Sequence, residues 1–399
     1  ALHPEDRRQR QMCIRDSIVT ISGGGIIGNY ISSRLSKSNI ESIVIEKSAE
    51  EAKNKNYIRT LTLNSFSKKL IDDLGIQIPL AKIKKINVFD GEGTGKINFS
   101  SSEVGEDNLS YVAFFDELQH ELKKKAYQRI IHGVQIKDIS EDSNTNSLNV
   151  LLSNQEIVNT KFVAGCDGRK SKVAEILSFK EITGNYHQTA ITFTAKCSLK
   201  EVNLAYQIFS EKGIFAIMPL PANNTDSTHT IVWSVNDKRL ENSDINNYVY
   251  MNIAFFEKQL FTKIEISSDI LSFKLFNHHV KEYMTGSVVL IGDAAHSIHP
   301  LAGQGINLGF ADADAFCEEI IKGYEKSNNI NQKLVLKRYE IRRKNMNLLM
   351  LKSMDFFVNL FRSENLYIKL LRNFGLSSVN KNQFLKRFFI NHASGKNKI

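Results

Sequence analysis

The chain has 399 residues, 42% of them hydrophobic and 24% charged, with a formal net charge of +9. That length buries a large core and accommodates two domains, and the composition is that of a globular enzyme rather than a fibrous or disordered chain. No apolar run approaches the roughly 18 residues of a spanning helix, and the lysines are scattered rather than gathered into a patch, which argues against nucleic acid and leaves some attraction to anionic membrane surfaces.

The first sixteen residues, ALHPEDRRQRQMCIRD, are polar and Arg-rich, with Glu5, Asp6 and Asp16 and no apolar segment. They read as a disordered, non-native extension rather than a signal or transit peptide. Ile18 to Ile21 is a β-branched run and starts the first predicted strand. It leads into Gly23, Gly25 and Gly28 of GGGIIG, then a helical pattern through Leu35, then a second apolar run, Ile43 to Ile45, closed by Glu46. Strand, glycine turn, helix, strand and acid make the whole βαβ dinucleotide fingerprint, with the acid placed to hold a ribose hydroxyl.

Glu50 to Asn56 is polar and is expected to loop over the cofactor. Arg59 heads an apolar-periodic run, Leu61 to Leu74, that ends at Gly75 as a helix does. Ile83 to Asp90 and Lys96 to Ser100 flank a Gly-rich turn and predict a β-hairpin. Another helix is expected between Tyr111 and Ala126. Val134 to Ile139, Leu148 to Leu152 and Glu156 to Thr160 predict a meander, after which Lys161 to Ala164 leads into Gly165-Cys166-Asp167-Gly168. Asp167, at a strand end between glycines, is either a turn former or a ligand.

From Tyr186 to Phe276 the pattern alternates, as antiparallel strands do, and carries the only tryptophan, Trp233, with Phe209 and Phe215. Val288 to Ile291 then reads as a buried strand ending at Gly292 and Asp293. Pro300, Gly303, Gly305 and Gly309 follow around Gln304, Ile306 and Asn307, and a helical run continues from Phe310 to Ile321. A second glycine turn thus opens a helix, where backbone N–H groups and the helix start favour an electron-rich ligand. Leu334 to Phe361 is a long helical pattern with Arg338, Arg342, Arg343 and Lys344 on its polar side, and a basic, apolar-rich segment spans Leu366 to Phe389. A basic amphipathic terminus of this kind also suits a membrane surface. Cys13, Cys166, Cys197 and Cys317 are far apart and form no CxxC pair, which points to a reducing cytoplasm with no disulfide framework and no metal site.

Three motifs in this order, GGGIIG with Glu46, Cys166-Asp167-Gly168, and GDAAHSIHPLAGQGINLGFAD from Gly292, resemble those of the flavoprotein aromatic hydroxylases, the class A flavoprotein monooxygenases, and more narrowly their ubiquinone-biosynthesis branch. RTLTLNS at Arg59, YHQTA at Tyr186, IMPL at Ile217 and LKRYEIRRKNMN at Leu336 extend the likeness from about Ile18 to Gly395. The resemblance implies an α/β fold: a Rossmann-like FAD-binding domain (18–85, 108–182, 286–333) with an inserted antiparallel β-sheet substrate domain (86–107, 183–285) and C-terminal helices (334–399), the p-hydroxybenzoate hydroxylase-like arrangement, after the extension 1–17.

It implies FAD as resident cofactor, held by Gly23, Gly25, Ile27, Gly28, Glu46, Lys47, Arg59, Asp167, Gly292, Asp293, Pro300, Gly303, Gln304, Gly305, Ile306 and Asn307. NAD(P)H is implied as transient co-substrate, and a lipid-soluble phenol and O2 as reactants, hydroxylation proceeding through a flavin C4a-hydroperoxide that the cofactor itself supplies. No catalytic side chain is nominated: His296 and His299 flank the loop beside Pro300 in a structural or flavin-shaping role. Phe115 departs from the family, standing where relatives carry a polar flavin contact, with Asp116 where many have Arg. A flavin-dependent reductase, a dehydrogenase using NAD alone, and a non-catalytic assembly subunit are the competing readings. A cytoplasmic protein, peripheral on the inner membrane or attached to a biosynthetic complex, completes the expectation.

Overall fold

The computed structural model describes residues 14–49, 58–126, 130–142, 145–199, 201–221, 228–241, 244–300, 303–326, 331–362 and 366–395. The polar segment Glu50 to Asn56 and most of the N-terminal extension lie outside them.

At the centre of the first sheet runs the strand Ile14–Ser22, parallel to Ser42–Glu46 on one side (Ile21 opposite Val44) and to Ile157–Gly165 on the other (Ile21 opposite Ala164). Val288–Leu290 extends the parallel set beyond Ile157–Gly165, and Ile130–His132 extends it beyond Ser42–Glu46. Val19, Ile21, Val44, Val163 and Val289 are fully buried, as strands covered on both faces must be. Helix α1 (Ile26–Ser36) makes the crossover between the first two strands. Because these five strands run the same way, the segments that follow four of them, Gly23, Glu46-Lys47, Cys166–Gly168 and Ile291–Asp293, emerge at one edge of the sheet. The edge at the carboxyl ends of parallel strands is where open α/β sheets bind ligands. The strand begins at Ile14, four residues before the expected start: its backbone pairs Ile14 with Ile157 through Ser17 with Thr160, so residues 14–17 are ordered in the sheet.

The second sheet orders its strands His296–Ser297, Leu271–Val280, Glu181–Lys196, Thr228–Asn236, Gly213–Pro219, Leu204–Ser210, Lys85–Asp90 and Lys96–Ser100, the last two forming the expected hairpin. Its two faces have different partners, since successive side chains of a strand point opposite ways. Ile191, Phe193, Phe215, Ile217, Ile231 and Trp233 bury one face against Tyr248, Val249, Ile253 and Phe256 of a helix that spans Ile245–Leu260. Of the alternate residues, Thr192, Ala216, Met218 and Val232 line a cleft, and Ala190 and Phe209 pack with Val358.

Two expected helices begin later than their periodicity suggested. Thr60–Asn64 is a strand, and the helix α2 covers only Ser65–Asp73, with Asn64 Oδ1 accepting from Ser67 N at 2.8 Å. Ser110–Phe114 is likewise a strand, paired antiparallel with Thr60–Asn64, and helix α3 starts at Phe115 and ends at Lys125. In both places a two-residue alternation is overlain by apolar spacing that also fits a helix, and pairing with each other decides for strand. Further helices are α4 (Lys172–Ile176), α5 (the Ile245–Leu260 helix), α6 (Gln304–Lys326), α7 (Gln332–Arg362), α8 (Leu366–Lys381) and α9 (Gln383–Ala393). Among the described residues no helix is long and apolar enough to cross a membrane.

Candidate functional site

The first glycine turn is shaped so that only glycine fits. Gly23 has φ +101°, and a Cβ there would sit 2.6 Å from the carbonyl oxygen of Cys166. At Gly28 a Cβ would lie 2.0 Å from the carbonyl oxygen of Gly23, so its role is to let α1 close onto the strand end. Gly25, at the N-terminus of α1, has open space where a Cβ would point, which leaves the first N–H groups of the helix uncovered towards the cleft. Glu46 accepts from Gly24 N at 2.6 Å and from Ser48 N at 2.9 Å. Burial pushes its carboxyl pKa up, and these two backbone donors outweigh that and hold it below the usual range. Each oxygen retains a lone pair for a ribose hydroxyl.

The late glycine turn faces it. Asp293 projects into the cleft from a short turn after Val288–Leu290; the depth of its setting pushes its pKa up, against the pull of His296, His278 and Arg59. Gly303 has φ +64°, with a Cβ position 2.8 Å from Thr62 Cβ, and Gly305 is open towards the cleft like Gly25. Gly292 (φ +62°) lies with Gly309 against Ile27, bringing the two turns together.

Between these ends the cleft has a cavity volume of about 890 Å³, at the upper end of what ligand sites enclose. Of the expected cofactor residues, Gly23, Gly25, Ile27, Glu46, Lys47, Arg59, Asp167, Asp293, Pro300, Gly303, Gly305 and Ile306 line it. Gly28, Gly292, Gln304 and Asn307 stand behind the lining. Asn307 is a brace: its Nδ2 donates to the carbonyls of Thr62 (2.8 Å) and Gly303 (3.0 Å), and its Oδ1 accepts from Asn64 N at 2.9 Å. Asp167 combines both readings left open by its sequence. Its Oδ2 accepts from Ser22 Oγ (3.2 Å) and Lys172 N (2.8 Å), holding the turn, while its buried Oδ1 has no partner among the described residues and the side chain lines the cleft. Phe115, expected to depart from the family at a flavin contact, carries the Arg59 guanidinium 4.0 Å above its ring, an aromatic support for a cation that borders the cleft.

Over the Asp293 end, the second sheet supplies a roof from the face not covered by α5: Thr192, Ala216, Met218, Val232 and Phe273, with Ser297 and Ile298 beside them. The roof brings no charged side chain among the described residues. Trp233 and Phe215 point the other way, into the α5 core.

A buried polar network, not foreseen from the sequence, fixes the late turn from behind. Asp312, on α6, accepts from His296 Nε2 at 2.5 Å, Gly292 N at 3.3 Å, Arg343 Nε at 2.7 Å and Asn347 Nδ2 at 2.8 Å. Arg343 therefore does not belong with the solvent-facing arginines of α7. It occupies the phase of Tyr339, Asn347 and Leu351, which all turn inward, and polar residues recurring at core phase were the available signal. His299 is buried beside Tyr186, with Nε2 2.9 Å from Gln188 Oε1. Neither His296 nor His299 lines the cleft.

Two helix N-termini opened by glycines, an ionised acid beside the first, a carboxylate and an unpartnered Asp167 oxygen along the wall, and an apolar roof fit a long dinucleotide with its ring system under the roof. They define a FAD-dependent monooxygenase of the aromatic-hydroxylase class, with NAD(P)H as the co-substrate of that class. The chain belongs to the FAD binding domain family, which matches residues 16–352. It is 26% identical over 454 residues to the mitochondrial ubiquinone biosynthesis monooxygenase of Dictyostelium discoideum, covering 95% of this chain and 91% of that one. It is 25% identical over 389 residues to 3-demethoxyubiquinol 3-hydroxylase of Escherichia coli, covering 94% and 98%. Among solved structures, p-nitrophenol 4-monooxygenase of Pseudomonas putida superposes with a TM-score of 0.76 at 14% identity, covering 96% and 98%, a likeness of fold.

Proposed function

We propose that the chain hydroxylates the aromatic ring of a polyprenylated phenol in ubiquinone biosynthesis. The observation that carries this reading is the roof: Ala216, Met218, Val232 and Phe273 offer an apolar ceiling without charge, suited to an electron-rich ring bearing an apolar tail. The names of the relatives over nearly the whole chain point to the same substrate class. FAD, when bound, supplies the acceptance of hydride from NAD(P)H and the activation of O2.

The chain's own residues bind, orient and exclude water. Gly23, Gly25 and Glu46 hold the nucleotide end, Asp293 and the Gly303–Gly305 turn hold the ring end, and Arg59 over Phe115 places a cation at the border of the cleft. Roof residues set the height and tilt of the substrate, and their apolar surface keeps water from the reacting atoms. A substrate of this kind partitions into lipid, which favours a peripheral position on the inner membrane or attachment to a biosynthetic complex.

The test is expression in a strain blocked at one ring-hydroxylation step, with mass spectrometry of the accumulated intermediate. Disappearance of one intermediate together with appearance of its hydroxylated product supports the reading. No change at any ring-hydroxylation step removes it.

A further inference from the structure

The outward face of α7 is unlike that of a helix turned only to water. Positions 334, 338, 341, 345, 349, 352, 356 and 359 recur every three or four residues, and all are exposed. Four are large and apolar: Leu334 is 48% exposed, Ile341 64%, Leu349 50% and Phe356 62%. Between them stand Arg338, Asn345, Lys352 and Asn359, spaced by seven, and no acid falls on the stripe. Lys337 and Arg342, just beside it, are paired with Glu340 and with Glu318 and Glu319, whereas Arg338 and Lys352 have no carboxylate partner among the described residues.

The apolar surface continues onto α9. Phe356 and Phe357 are in ring contact, Phe357 meets Phe389 at 6.4 Å, and Phe388, Phe384 and Leu385 beyond it are exposed. Lys381, at the end of α8, adds an exposed cation.

We propose that this face of α7 and α9 rests on an anionic lipid surface. Long basic side chains alternating with apolar ones suit shallow insertion, the aliphatic and aromatic groups entering the acyl boundary while the cations reach phosphate headgroups. A second copy of the chain is a poor occupant: a paired-helix seam needs apolar residues at both repeating positions, and here one of the two is Arg338, Asn345, Lys352 and Asn359, so cations would meet cations. The inward face of the same helix reaches the cofactor cleft, through Arg343 and Asn347 to Asp312 and through Leu351 to Ile298. A membrane under α7 therefore lies about one helix diameter, roughly 10 Å, from the elements that wall the substrate. The proposal rests on the reading of a lipid-soluble substrate only for the reason the protein goes there.

The experiment is co-sedimentation of the FAD-loaded full chain with vesicles of phosphatidylcholine alone and with about 30% phosphatidylglycerol. Binding is expected only to the anionic vesicles, with release at high salt. Partitioning should fall at least about thirtyfold in an Arg338→Glu/Lys352→Glu chain and be lost in Phe356→Ser/Phe388→Ser, with the melting temperature and the hydroxylation of a short-tailed, water-soluble phenol unchanged in both. The proposal is overturned if anionic vesicles do not bind the protein, if the substituted chains bind equally well, or if the substitutions instead dissociate a dimer in sedimentation velocity. Vesicle binding without hydroxylation of any phenol would remove the substrate reading and leave the surface standing.

Discussion

Asp312→Asn isolates the network behind the late turn. The substitution keeps the shape of the side chain and removes the charge on which His296 Nε2, Arg343 Nε, Asn347 Nδ2 and Gly292 N converge. Burial alone pushes the Asp312 carboxyl pKa up, but His296 and Arg343 overcome it and hold the group well below the usual carboxylate range. Breaking one partner of a buried ion pair costs about 3–5 kcal/mol. Arg343 retains 15% side-chain exposure, so some of its charge can be hydrated and the lower end, about 3 kcal/mol, is expected. Since the folded pKa is depressed, the stabilisation is present above the unfolded value of about 4 and is lost as pH falls below it. Urea denaturation of the apoprotein at neutral pH measures the loss, and a cycle with Arg343→Gln should show a coupling of about 1–3 kcal/mol. FAD titration should show weaker binding, because the Gly292–Asp293 turn loses its anchor. A loss below about 1 kcal/mol, or additive single and double substitutions, would refute the role given to this network.

Other consequences follow from single residues. Gly23→Ala should abolish the yellow flavin absorbance of the purified protein, since its Cβ meets the Cys166 carbonyl; Gly105→Ala, also at positive φ but in open space, should cost only about 1–2 kcal/mol of stability and keep the flavin. Burial holds the His299 pKa down at about 4; with Nε2 paired to Gln188 Oε1, the buried Nδ1 has no partner among the described residues. Below the unfolded value of about 6.5 the unfolded chain takes up a second ring proton and the folded one does not, so stability should fall by roughly 2 kcal/mol between pH 7 and 5. His279, whose pKa burial also lowers to about 4, adds a loss of the same sign, so denaturation at the two pH values should show more than that loss, and His299→Gln should reduce it by roughly 2 kcal/mol. Val232→Phe should change kcat/KM and the choice among phenols without lowering the melting temperature, whereas Trp233→Ala should lower stability by about 3–5 kcal/mol and leave the choice unaltered. The opposite assignment in those assays would mean that the sheet is facing the other way.

The nucleotide end of the site was legible because its chemistry is local. Gly23, Gly28 and Glu46 lie in one βαβ unit, and the constraint that makes each necessary acts within a few residues of it or across the adjacent strand. Asp167 and Asp293 were legible as strand-end carboxylates, although only the parallel register shows that their strands end side by side. The roof was not legible, because an alternating strand announces two faces without saying which one meets a helix; α5 decides that. The Asp312 network escaped for a related reason: Arg343 sits in a run of basic residues, and only the rotation of α7 separates it from Arg342 and Lys344. At Thr60–Asn64 and Ser110–Phe114 the local spacing fitted a helix as well as a strand, and a partner some fifty residues away made the choice.

Because neighbouring positions along Thr228–Asn236 and Gly213–Pro219 answer to different demands, one substitution can alter which molecule is accepted while its immediate neighbour in sequence keeps the domain folded. Divergence can therefore proceed at every second residue of these strands with the glycine turns untouched, and enzymes with identical dinucleotide signatures can act on different ring carbons. If the proposed function holds, the record of what such an enzyme oxidises lies at the cleft-lining Thr192, Ala216, Met218, Val232 and Phe273, a handful of letters that no phosphate-binding fingerprint contains.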